Sequence, residues 1–412
     1  MRNMSYFCIV KLKGYIIKLL TMCLISLNIS GIRAANNAGT ASSEHDSIRI
    51  SLLTCSPGSE VYSLYGHTAI RYTDYGKGID AVVNYGVFSF NKPFFILRFI
   101  FGITDYEMGI VPYEYFKLEY GEEGRSVVQQ ELNLSAEEKA AIRDAIELNY
   151  QPQNRTYRYN YFYDNCTTRA RDILINNMQR VVSFPGKEKR YPSYRELIHS
   201  FNEDYPWARF GNDILLGFNA DRSTSVSEHQ FLPFLLKEDF DSAVITNSDG
   251  TTQPLVVQSS VIVDCPSVGA DGGFPLRPLQ CAWMIFFVVA IITLIEALKR
   301  KKLWLFDTIM MVFVGCLGIV VFMMLFSEHP ATSTNLQVLL LNPLPLFFVY
   351  RVAKNACRHK ADKFWNWSML PIALFFIGGF FQQYAEGMYV LALSLLVRSV
   401  WNIIYQKKYL SA

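Results

Sequence analysis

No CxxC pair occurs in this sequence, and its eight cysteines and six histidines form no cluster with the spacing of a zinc site. A thiolate-held metal centre is thereby excluded, and neither a metal nor another cofactor is expected. A basic stripe interleaved with aromatics is missing too. The net charge is only +3, and the few basic clusters lie beside apolar runs, so nucleic acid is not expected as a partner. Charge itself becomes scarce after about residue 275, where long apolar runs take over. The 51% hydrophobic and 15% aromatic content is therefore not the mark of one soluble core, because the excess is concentrated in the last third of the chain.

The N-terminus carries basic residues between Lys11 and Lys18, then an apolar run from Leu19 to Ile29 that is too short to span comfortably, then small residues at Ala34 and Ala35. This pattern predicts a secretory signal peptide over 1–35, with retention as an anchor the alternative because Ile32 and Arg33 make the cleavage motif imperfect. Met22 before Cys23 argues against a lipoprotein signal. With Cys8 and Cys23 in the leader, Cys316 in an apolar run and Cys357 in a basic loop, the cysteines left outside the membrane are Cys55, Cys166, Cys265 and Cys281. Cys265 and Cys281 are candidates for a disulfide.

Cys166 stands out by position. In YFYDNCTTRAR (Tyr161 to Arg171) it opens a helical run whose inward stripe continues through Ala170, Ile173, Leu174, Asn177 and Met178. Asn165 is a favoured N-cap residue, which places the thiol at the positive end of the helix dipole, where a thiolate is favoured. A nucleophile needs a base. Of the histidines His45, His67, His199 and His229 on the expected outer side, only His67 begins a strand, in YGHTAIRY (Tyr65 to Tyr72). There His67, Ala69 and Arg71 share one face, and Thr68, Ile70 and Tyr72 the other. A turn at Asp74 to Asp80 and a return strand from Ala81 to Phe90 complete a hairpin. Asn84 and Asp80 are both candidates to orient the imidazole, with Asn84 preferred because it lies within the strand. Asn165 or the Cys166 backbone N–H is expected to help hold an oxyanion, and Tyr163 and Asp164 to position the loop.

Between these landmarks, Phe94 to Phe101 is expected to be a core segment, the alternative being a surface that dips into the bilayer beside the site. Ser135 and Glu138 form a capping box for a helix reaching about Asn149. Tyr194–Phe201 and Phe210–Gly217 read as short helices. Residues 240–278, rich in Ser, Thr, Gly and Pro, read as a junction with a few short strands. Five apolar runs follow at about 281–298, 304–326, 335–351, 366–382 and 386–405, each near the length a membrane helix needs. Basic residues follow the first (Lys299 to Lys302), surround the third-to-fourth loop and follow the fifth (Lys407, Lys408), while Ser327–Asn335 and Gln383–Gly387 have none. The positive-inside bias puts the start of the first run outside and the C-terminus in the cytoplasm, in agreement with the signal peptide. Asn342 to Pro345 (NPLP) predicts a broken or kinked third helix, read as structural.

A strand histidine facing a cysteine at a helix N-terminus is the geometry of papain-like thiol enzymes, here with the histidine first in the chain. YGHTAIR followed by DNCTTR resembles the permuted NlpC-type superfamily. SLLTCSPGSEVYSLYGHTAIR, NYGVFSF, YDNCTTRARD, WARFGNDILLG and ADR together resemble the Lnb-type lipoprotein N-acyltransferases, and the resemblance spans nearly the whole chain. It implies an α+β, circularly permuted papain-like domain over 36–275 and an all-α five-helix membrane domain over 276–412, in the bacterial inner membrane with the catalytic domain in the periplasm. It further implies Cys166 as nucleophile and His67 as base, a membrane phospholipid as acyl donor and a diacylglyceryl lipoprotein as acceptor. The polar residue that follows the histidine is Asn84 here, whereas the acyltransferase branch of the superfamily has a second histidine at closer spacing. Two other readings use the same residues: a membrane-anchored amidase or endopeptidase acting on cell-wall peptides, and a non-enzymatic receptor or assembly factor with a structural Cys166, disulfide-bonded to Cys55.

Overall fold

Strands β1 (Ile48–Cys55), β2 (His67–Asp74) and β3 (Ile79–Val87) form an antiparallel meander at the centre of a seven-stranded sheet. A computed structural model supplies this description for residues 47–88, 93–185, 191–266 and 274–410; the expected signal peptide and the tether up to Asp46 lie outside the described residues. β4 (Asp105–Pro112) and β6 (Thr156–Arg158) extend the sheet beyond β3, and β5 (Val127–Leu132) extends it beyond β1. β7 (Val181–Ser183), β8 (Val244–Thr246) and β9 (Thr252–Pro254) make a small separate sheet. β10 (Val256–Val263) then pairs antiparallel with β5, giving the order β10-β5-β1-β2-β3-β4-β6. The stretch read as a junction therefore completes the main sheet, which its Ser- and Thr-rich composition concealed.

β1 is buried along nearly its whole length because both faces of the sheet are covered. Ile48, Ile50 and Leu52 pack on one side, and Leu53 and Cys55 on the other. Helix α1 (Phe95–Ile100) follows β3 in the chain, and α2 (Tyr113–Glu122) covers the second side through Tyr113, Phe116 and Tyr120. On the first side lie α3 (Ala136–Tyr150), opened by the Ser135–Glu138 capping box, and α4 (Cys166–Asn176), which contributes Ala170 and Leu174. After α5 (Tyr194–His199), α6 (Pro206–Leu215) and the single turn α7 (Val226–His229), α8 (Pro233–Ser242) adds Leu236 and Phe240 to that same side.

The expectation of a core segment at Phe94–Phe101 is overturned. Phe94, Leu97 and Phe99 are 77%, 46% and 44% exposed. The C-terminal end of α1 instead meets the chain beyond the second apolar helix, where the Glu328 N–H donates to the Phe101 carbonyl.

Among the described residues, four apolar helices are long enough to cross a bilayer. They are α9 (Pro278–Lys299), α10 (Trp304–Met324), the composite 336–357, and α13 (Met388–Tyr409); the fourth apolar run gives a shorter α12 (Phe364–Gly378). The composite is broken as expected: a 3-10 turn at Leu336–Leu339 gives way at Asn342–Pro343 to α11 (Leu344–Cys357). Gly318 on α10 makes room for this break, since a Cβ there would stand 2.2 Å from the Asn342 carbonyl carbon.

Helix α6 joins the two parts. Phe210 and Ile214 pack with the apolar cluster of the membrane helices, while Leu216 joins Tyr65, Phe162 and Tyr194 beneath the thiol loop. The C-terminal carbonyls of a helix have no partner within it. Here side-chain amides from the start of the composite span and from the segment after α12 supply them: Gln337 donates to Asp213 O (2.7 Å), Asn335 to Ile214 O (2.6 Å) and Gln382 to Leu216 O (3.0 Å). Arg195, fully buried, closes the other side through Asp213 and Asp221. The WARFGNDILLG and ADR segments, read from sequence only as short helical pieces and loops, are thus where the sheet-bearing domain docks onto the membrane helices.

Candidate active site

The thiol and the imidazole meet where α4 and β2 both begin. Asn165 caps α4 by accepting from the Thr167 and Thr168 N–H groups (2.8 and 2.9 Å), and its own N–H donates to Thr168 Oγ1 (2.8 Å). Its side-chain Nδ2 is committed to the Tyr161 and Phe231 carbonyls, both at 2.9 Å. The buried Asn165 side chain therefore has nothing left for an oxyanion, which corrects the expectation placed on it. The Cys166 N–H, at the first helical position, has no intrahelical carbonyl to bind. Thr167 anchors the turn to the sheet by a hydroxyl contact with Thr68 (3.1 Å), and its Oγ1 lies 3.8 Å from Sγ.

His67 is held through Nε2, which lies 3.1 Å from Asn84 Oδ1. Asn84 stands opposite Ala69 in the β2–β3 register, so its side chain reaches diagonally to the start of β2. Asp80, the alternative, is spent elsewhere: Arg71 binds it bidentately at 2.8 and 2.6 Å. An Nε2 that donates to an amide oxygen fixes the tautomer and leaves Nδ1 as the acceptor for a thiol proton.

Electrostatics separates the two thiols near this histidine. Cys55 pairs with His67 across β1 and β2, but burial pushes its thiol up to about 12, with the Tyr120 hydrogen bond and Arg125 too weak to offset it. Burial also pushes Cys166 up. There, however, the charge and hydrogen bond of His67, with the Thr68 backbone and Thr167 hydroxyl, more than compensate and bring it down to about 7. In return the Cys166 thiolate, then the Asn84 hydrogen bond, hold the imidazole above its ordinary value against the lowering effect of burial. Cys166 thus has the environment of a reactive thiol and Cys55 that of an inert one. Cys55, Cys166, Cys265 and Cys281 are all free, so neither the Cys265–Cys281 nor the Cys55–Cys166 disulfide is present.

Asp164 and Tyr163 stand beside the thiol in different ways. Asp164 forms a bidentate pair with Arg169 (2.6 and 2.7 Å), whose guanidinium stacks on the Tyr157 ring. Tyr163 is exposed and packs edge-on to Tyr194. Sequence reasoning missed the walls. Tyr157, Tyr159 and Tyr161 alternate along YRYNYFY, a period-two signal, and burial followed by the Cys166 charge pushes the Tyr157 and Tyr159 hydroxyls well up, so both rings stay neutral. Gly86 completes the floor with φ +84°, a conformation L side chains rarely adopt; its missing Cβ would lie 3.6 Å from the Tyr159 ring and 3.8 Å from Cys166 Cβ. His199 and His229 are removed from this site, paired with Asp213 and Asp239.

A mixed α+β domain carrying this thiol–imidazole pair, docked on four to five apolar helices, defines a membrane protein with one large domain outside the bilayer. The model of the Lnb N-terminal periplasmic domain matches residues 34–199, and that of the Lnb transmembrane domain matches residues 270–409. The chain belongs to the Lnb family and has the architecture of its lipoprotein N-acyltransferases, which fits an inner-membrane protein with a periplasmic domain. Neither the curated proteins nor the solved structures give a match.

Proposed function

We propose that this protein transfers an acyl chain from a membrane phospholipid to the α-amino group of a diacylglyceryl-cysteine lipoprotein, by way of a Cys166 thioester. The Cys166 thiolate attacks an ester carbonyl of the phospholipid, and the tetrahedral oxyanion is held by the Cys166 N–H. The C–O bond breaks as His67 gives its Nδ1 proton to the departing alcohol oxygen, releasing lysophospholipid. The lipoprotein amine then attacks the thioester, His67 takes the ammonium proton, and the C–S bond breaks to leave an amide and the thiolate. Asn84 holds the tautomer through both halves, and Tyr163 and Asp164 position the loop. In this reading the fold is a permuted papain-like one, because the histidine strand precedes the cysteine helix, and the C-terminus lies in the cytoplasm.

The observation that carries the proposal is the pairing of a helix-capped, acidified Cys166 with a strand histidine in a domain fixed to membrane helices. Both substrates reside in the bilayer, and an amidase would need no more than a single anchor. The test is mass spectrometry of a lipoprotein's N-terminal peptide from cells lacking N-acylation, supplied with the intact protein or with Cys166→Ala. A gain of one acyl chain with the intact protein alone is expected. A gain with both would remove Cys166 from the chemistry, and no gain with either would send the reading to cell-wall peptides.

Asn84→Ala removes one hydrogen bond worth about 1 to 1.5 kcal/mol, so transfer should fall about tenfold. Asp80→Asn should leave it near the wild-type rate. If Asp80→Asn proved the more damaging, the assignment of Asn84 as orienting residue would be wrong.

A further inference from the structure

Helix α1 packs beside the C-terminal end of membrane helix α10. Its C-terminal end is joined to the chain just beyond α10 by the Glu328–Phe101 backbone bond, and Gly102 lies so close to this segment that a Cβ would stand 3.0 Å from the His329 nitrogen. Charged pairs lock the same place from the sheet: Arg98 of α1 binds Asp105 (3.1 Å), Asp105 binds Arg158 (3.2 Å), and Arg158 binds Glu328 (3.1 Å). Beside this belt four large apolar side chains are exposed: Phe94, Leu97 and Phe99 on and beside α1, and Phe326 (67% exposed) beyond α10. Phe94 is held there in a left-handed backbone conformation (φ 56°), which a bulky side chain enters only at a cost. An apolar face continuous with the end of a membrane helix and underlain by arginines matches an interfacial helix.

A row of rings leads from the surface to the thiol. Tyr62, 65% exposed, meets Phe88 edge-on at 6.1 Å, Phe88 meets Tyr106 at 5.0 Å, and Tyr106 stacks on Tyr159 at 4.3 Å. Tyr159 and Cys166 then face each other across Gly86. Tyr106 follows directly on Asp105, the residue that holds Arg98, so the row and α1 share one anchor.

We propose that α1 seats in the outer leaflet of the bilayer and that the acyl chain of the donor lipid reaches Cys166 along the Tyr62–Phe88–Tyr106–Tyr159 row. The proposal rests on the acyl-transfer reading for the identity of the cargo but not for the seat itself. The seat places an ester carbonyl, at the headgroup–acyl boundary, level with the thiol instead of requiring a lipid to leave the bilayer.

The experiment uses full-length protein in phosphatidylethanolamine liposomes, with a benzophenone amino acid placed singly at Leu97, Phe99 or Tyr62 and irradiated. Phe313, exposed on α10, is the positive control, and Tyr75, exposed in the β2–β3 turn, the negative one. Lipid adducts by mass spectrometry are expected at Leu97, Phe99 and Tyr62, as at Phe313, and not at Tyr75. Absence at Leu97 and Phe99 overturns the seat, and absence at Tyr62 alone overturns the route. Leu97→Glu with Phe99→Glu should lower acyl transfer roughly tenfold by weakening interfacial binding, while the rate of Cys166 alkylation by iodoacetamide stays unchanged. A parallel loss of alkylation would mean a damaged fold and overturn the argument from these side chains. Adducts without any acyl transfer would leave the seat standing and refute the acyl-transfer reading instead.

Discussion

His67→Gln should slow acyl transfer by about 10²- to 10⁴-fold, the range for loss of a positioned acid–base group, while slowing simple alkylation of Cys166 far less. The split follows from what each reaction requires. Iodoacetamide needs only the thiolate. With His67 the thiol titrates at about 7, so near half of it is thiolate at neutral pH. Without His67, burial leaves the thiol at or above the ordinary value, with about one molecule in a hundred ionised. That loss of roughly fiftyfold is partly returned, because a thiolate of higher pKa is the better nucleophile, and the net drop in alkylation is roughly five- to tenfold. Acyl transfer suffers the same loss and also lacks a proton for the departing alcohol. The pH profile carries the sign. In the intact protein the alkylation rate should rise as pH passes about 7 and then level off, whereas in His67→Gln it should still be climbing at pH 9. The titration at about 7 belongs to the Cys166–His67 pair and not to either group alone. Equal losses in both reactions would mean that His67 only tunes the thiol and moves no proton.

What the sequence disclosed depended on how local the cause was. Asn165 before Cys166 was legible because an N-cap is decided within four residues, and the hairpin that brings Asn84 to His67 because only seventeen positions separate them. The choice between Asn84 and Asp80 was not legible, since it turns on Arg71 claiming Asp80. The role offered to Asn165 failed for a similar reason: its amide is taken by Phe231, sixty-six residues away. Phe94–Phe101 was misread because an eight-residue apolar run carries no information about what covers it. The docking of α6 was out of reach, as glutamines at the ends of apolar runs give no sign that they will bind carbonyls more than a hundred residues distant.

The same limit hid Arg398, a cation in the middle of the last apolar run. Its side chain is fully buried and binds Asp307 on α10 at 2.8 Å and Glu296 on α9 at 3.1 Å, with Lys302 contacting both acids. Trp401 and Asn402 donate to the same carboxylates. Two acids and two bases balance, so the group is neutral as a whole and tolerable among apolar helices. Arg398→Met should therefore lower stability by about 3 to 5 kcal/mol, the cost of stranding a buried partner, and heat-induced unfolding in detergent should begin several degrees lower. Charge and shape are separated by a second variant. Adding Asp307→Asn to Arg398→Met leaves Glu296 with Lys302, 3.2 Å away, and restores neutrality, so most of the lost stability should return. If the double variant unfolds as early as the single one, the arginine acts by packing and not by charge. Glu296 and Asp307 lie at the ends of α9 and α10 remote from the sheet-bearing domain, so below the unfolding temperature Cys166 alkylation should be unaffected. A change there would mean that this ionic group communicates with the thiol through the helices instead of only holding them together.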